Sequence, residues 1–115
     1  VYKRQGRLMP GLQLQLQAMA SGTALLPSVA RQQRTDDLFP SGTAEAMCQG
    51  VMQGLAAAVV DAYQSSGGCL WLCGGDAAWL RGELKRRGVS AEMDQQLQLQ
   101  AMVDLIPVIK PAPGR

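Results

Sequence analysis

The stretch Cys69-Leu70-Trp71-Leu72-Cys73-Gly74-Gly75-Asp76-Ala77-Ala78-Trp79-Leu80 decides the fold. Its first five residues form an almost wholly apolar run between two glycine pairs. That pattern predicts a short strand covered on both faces. Gly74-Gly75-Asp76 then turns directly into AAWLRGELKRRG, a helical segment with Leu80 and Leu84 on its buried side. Lys85, Arg86 and Arg87 suit the negative end of the helix dipole, and Gly88 is expected as the C′ stop.

Upstream, residues 43–64 read as the clearest helix. Ser41 and Thr43 offer N-cap hydroxyls, and Glu45 falls in the first turn, where the dipole favours an acid. Met47, Val51, Leu55, Ala58 and Ala62 recur at three- and four-residue steps along one face. Ser65-Ser66-Gly67-Gly68 breaks that helix before the strand. Further upstream, GRLMPGL (6–12) reads as a strand end turning at Pro10-Gly11. The alternating LQLQLQ that follows imitates a strand, but Leu, Gln, Ala and Met favour a helix over about 11–20. Pro27 and RQQRTDD (31–37) form a connection to Phe39-Pro40. Downstream, a last helix is expected near 94–106, then a proline-rich tail over 107–115. The heptapeptide QLQLQAM occurs at 13–19 and again at 96–102, a single recurrence that reflects biased composition.

Helix–strand–helix order around an apolar strand implies an α/β fold with helices on a mainly parallel sheet. One strand and a stub are too few for such a sheet. The expectation is therefore that the chain is part of a longer protein whose remaining strands precede Gly6. Residues 1–5, VYKRQ, resemble the translated end of a sequencing-library adapter and are set aside as a scar. The domain reading is then 1–5 scar, 6–106 one partial α/β domain and 107–115 tail.

With 115 residues, 47% hydrophobic and 17% charged, the composition is that of one globular domain. Gly, Gln and Arg interrupt every apolar run short of a membrane span, so a soluble, cytoplasmic protein is expected. The formal charge of +2 rests on Lys3 and Arg4; without them 9 basic residues face 9 acidic ones. No basic field for nucleic acid remains. The three cysteines are odd in number, and Cys69 and Cys73 would lie about 13 Å apart on a strand, too far for a disulfide. All three are expected as small buried apolar groups. The absence of histidine removes His-based triads and most zinc sites.

Three segments remain as chemical candidates. Gly74-Gly75-Asp76 presents backbone amides at a strand–helix turn, favourable for a nucleotide or another anion. Taken alone, a Gly-Gly turn is usually only a turn, and Asp76 an N-cap. Thr43, at a helix start, either caps its own helix or faces a substrate there. Pro10-Gly11-Leu12 with Ser21-Gly22-Thr23-Ala24-Leu25-Leu26-Pro27 reads as a turn and a helix exit without chemistry of its own.

In order, however, PGLQLQLQAMASGTALLPSV, FPSGTAEAMCQGVMQGL and LCGGDAAWL resemble the C-terminal half of a type III pantothenate kinase. The resemblance covers about residues 6–106. Arg7 stands where the family has a second glycine. Cys73 replaces a threonine, which removes any hydroxyl role at that position. The resemblance implies the actin-like, ribonuclease H-like fold of the acetate and sugar kinase, Hsp70 and actin superfamily. It also implies ATP-dependent phosphorylation of pantothenate, the first step of coenzyme A synthesis. Such kinases are homodimers that need Mg²⁺ and a monovalent cation, K⁺ or NH₄⁺. By the same resemblance Thr43 contacts pantothenate, while Gly74, Gly75 and Asp76 line the adenosine side; no catalytic or metal-binding residue is assigned. The family's Asp-x-Gly-Asn-Thr phosphate loop and Gly-x-Asp-Arg segment are not in this sequence, which contains no asparagine. The 115 residues are therefore expected to be inactive alone. The alternative is a non-catalytic accessory protein of the same family, acting through interactions.

Overall fold

A computed structural model describes residues 6–31, 35–96, 100 and 102–104. The elements run α1 (Leu12–Gly22), α2 (Thr43–Ser66), β1 (Trp71–Leu72), α3 (Ala77–Arg86) and β2 (Glu92–Met93). The chain divides into two units, Val1–Asp61 and Ala62–Arg115.

In the first unit, α1 settles the ambiguity of LQLQLQ. A strand would place Leu12, Leu14 and Leu16 on one face. Instead Leu12 and Leu16 are fully buried and Leu14 is 57% exposed, as helical spacing requires. Burying each of those two leucines contributes about 1.5–3 kcal/mol. Residues 6–11, expected as a strand end, form no strand, and Leu8 is fully exposed. Arg7 instead donates to Asp61 at 2.7 Å in a solvent-exposed ion pair, worth at most about 1 kcal/mol.

The helix exit is held by Thr23, whose hydroxyl donates to the Met19 carbonyl at 2.6 Å and accepts from the Leu26 amide at 3.3 Å. In the polar connection, Thr35 and Asp37 side chains accept from the Asp37 and Phe39 amides at 3.1 Å each. These are local turns that replace regular backbone pairing. Met47, Cys48, Val51, Met52 and Ala56 bury one face of α2, while Leu55, Ala58 and Ala62 are only half-buried. The buried stripe is thus rotated from the expected one.

The second unit contains a β–α–β arrangement. β1 and β2 are parallel, with Trp71 beside Glu92 and Leu72 beside Met93. The amides of Glu92 and Asp94 donate to Leu70 and Leu72 carbonyls at 2.9 and 3.0 Å. The parallel sheet expected from element order is present, with two strands among the described residues. β1 is covered on one face only: Leu72 is buried, whereas Cys69, Trp71 and Cys73 are exposed. Only Cys48 among the cysteines is buried, so the expectation of three buried thiols fails at the two that flank β1. Leu72, Ala77, Leu80, Leu84, Val89 and Ala91 form the unit's buried apolar set.

The end of α3 is closed by a Schellman motif. Gly88, at φ +77°, donates to the Lys85 carbonyl at 3.1 Å, and Val89 donates to the Leu84 carbonyl at 2.9 Å. Leu84 and Val89, the apolar pair that accompanies this motif, are both buried. The expected final helix falls partly outside the described residues; Gln100 and residues 102–104 are helical. The adapter-like residues 1–5 and the tail 107–115 lie outside them.

Candidate functional site

The turn from β1 into α3 brings Gly74, Gly75 and Asp76 together at the carboxyl end of a parallel strand. In open α/β sheets that is the edge where ligands bind. Gly74 has φ +95°, a conformation glycine adopts without a side-chain clash. Its carbonyl accepts from the Ala77 amide at 3.3 Å, which tightens the turn. Gly74 and Gly75 are exposed, and a Cβ on either would meet no atom within 4 Å. The turn is therefore open on its outer side, with room for a ligand ring against the backbone.

Asp76 occupies the N-cap position of α3 and is half-buried. Its carbonyl accepts from the Leu80 amide at 2.9 Å, but its side chain makes no capping hydrogen bond. The position matches the simple capping explanation; the hydrogen bond that would complete it is absent. The first helical turn holds no acid, and the amides of Ala78 and Trp79 have no intrahelical acceptor. This end of α3 carries the positive end of the helix dipole, with the Asp76 carboxylate beside it.

Thr43, in the first unit, is the first residue of α2 and is exposed. The Ala46 amide donates to the Gly42 carbonyl at 2.9 Å, which puts the cap at Gly42 rather than at Ser41 or Thr43. The Glu45 carboxylate folds back over Gly42, where a Cβ would collide with it. The Gly42 carbonyl therefore opens α2, and the Thr43 hydroxyl makes no hydrogen bond to another described residue. Thr23 provides the contrast, since both its hydrogen bonds serve the local backbone.

A profile of the type III pantothenate kinase family matches residues 4–65, more than half of the chain. The chain belongs to the type III pantothenate kinase family. A relative described as type III pantothenate kinase, from Rhodopirellula baltica, is 34% identical over 109 residues. The alignment takes in 90% of this chain and 40% of the relative, so the chain spans well under half of that kinase. Thr43 lies inside the segment matched to the family and Gly74–Asp76 lies beyond it. Among the described residues no three His, Cys, Asp or Glu side chains converge as a metal site, and no helix is long and apolar enough to cross a membrane. Sequence reading missed β2, although Val89-Ser90-Ala91-Glu92-Met93 alternates apolar and polar in the strand manner.

Proposed function

We propose that this chain is the carboxyl-terminal portion of an ATP-dependent pantothenate kinase and supplies two of its binding surfaces. The observation that carries the reading is the family match over residues 4–65, together with 34% identity to the Rhodopirellula baltica kinase. In this reading Thr43 touches pantothenate, with a hydroxyl that helix capping leaves unused. Gly74, Gly75 and Asp76 line the adenosine side of the nucleotide, in a ribonuclease H-like half of an actin-like fold. The open glycine turn fits that role, because neither glycine has a neighbour where a ligand would sit.

Phosphoryl transfer also needs donors for the phosphates, ligands for the metal and a base that orients the attacking hydroxyl. The described residues offer no metal-holding set. The family's phosphate loop and Gly-x-Asp-Arg segment are not in this sequence, so in this reading Mg²⁺, the monovalent cation and the transfer step go to the rest of the kinase. A cytoplasmic homodimer is the assembly this reading entails. No observation favours the accessory-protein alternative.

The test is Thr43→Ala in the whole kinase. A rise in KM for pantothenate with KM for ATP unchanged is expected, with Thr43→Ser restoring it. Equal shifts in both constants, or none in either, would refute the assignment.

A further inference from the structure

Two features weaken α3 without a structural reason, and both open onto one recess. Gly82 sits in the middle of a ten-residue helix, where glycine is poorer than alanine. Its φ is not left-handed, and a Cβ there would meet no atom within 4 Å. Arg81 and Lys85 stand one turn apart, where like charges repel. Both are exposed, and neither has an ion-pair partner among the described residues.

These residues line a recess of about 560 Å³ between α3 and the residues leading into β2, with Ala78, Ser90 and Glu92 also on its walls. Its volume falls in the range of small-molecule sites. Because residues 89–91 precede β2, the recess extends toward the amino end of that strand. The turn at 74–76 lies at the carboxyl end of β1 instead. Gly82 and Ala78 keep its floor low, Arg81 and Lys85 supply two cations, and Ser90 and Glu92 offer a hydroxyl and a carboxylate.

We propose that this recess binds a small phosphomonoester. The phosphate sits against Arg81 and Lys85, relieving their repulsion through charge-assisted hydrogen bonds. The ligand's hydroxyl or amino donors face Ser90 and Glu92.

The full chain, ¹⁵N-labelled, is titrated with glycerol 3-phosphate, and separately with inorganic phosphate and with glycerol. Saturable amide shifts confined to about residues 78–92 are expected with glycerol 3-phosphate. Inorganic phosphate should bind more weakly, and glycerol should give no shift. The double variant Arg81→Gln/Lys85→Gln, its fold checked by circular dichroism, should lose about tenfold or more in affinity. Gly82→Ala should raise the melting temperature and yet weaken binding. No saturable shift, or undiminished affinity in either variant, would overturn the proposal. Equal affinity for inorganic phosphate would overturn the role given to Ser90 and Glu92.

Discussion

The two ends of α3 handle the same problem in opposite ways. Each begins with a glycine at positive φ, Gly74 at +95° and Gly88 at +77°. At the carboxyl end the amides of Arg87, Gly88 and Val89 all donate back into the last turn, to the Glu83, Leu84 and Lys85 carbonyls. At the amino end the Gly74 carbonyl accepts from Ala77 at 3.3 Å, the Asp76 side chain makes no capping hydrogen bond, and a Cβ on Gly75 would meet no atom within 4 Å. One end is finished within the chain. The other keeps an exposed glycine turn on its outer side.

Substitutions at the two ends test that difference. The largest effect is expected from Leu84→Ala, which empties a fully buried position at the closed end. It should cost about 2–5 kcal/mol, read from the shift in urea midpoint. Gly88→Ala forces a side chain into the left-handed region and should cost about 1 kcal/mol by the same measurement. Gly74→Ala carries the same backbone penalty, so its midpoint should fall by a similar amount. Gly75→Ala is the sharpest of the set, since neither φ nor neighbouring atoms require glycine there. Its stability should change by no more than about 0.5 kcal/mol, while KM for ATP in the whole kinase rises. A stability loss as large as that of Gly88→Ala would erase the distinction between the two ends.

Much of this organisation was legible in the sequence where one physical signal dominated. The stop of α3 at Gly88 was visible from a basic last turn followed by glycine, and the structure adds the Leu84–Val89 closure. Helix preference correctly outweighed the alternation in LQLQLQ, because only helical spacing buries Leu12 and Leu16 while leaving Leu14 in water. The failures share a cause, since burial depends on neighbours that a local pattern does not specify. CLWLC reads as doubly covered, yet Cys69, Trp71 and Cys73 face outward in this chain. β2 is two residues long and was masked by the helical signal expected after it. At the candidate site, the glycine turn was legible as a turn and as an opening. The capping role offered by Thr43 was not realised, because the helix already begins from the Gly42 carbonyl and Thr43 is its first residue.

Binding without transfer is the role proposed above for this chain. Its most direct test is a pantothenate phosphorylation assay with ATP. The 115-residue chain is assayed alone and then joined behind the amino-terminal part of the Rhodopirellula baltica kinase. Background turnover is expected from the chain alone and clear turnover once joined, reduced by Thr43→Ala. Turnover by the chain alone, or a joined enzyme indifferent to Thr43→Ala, would contradict it.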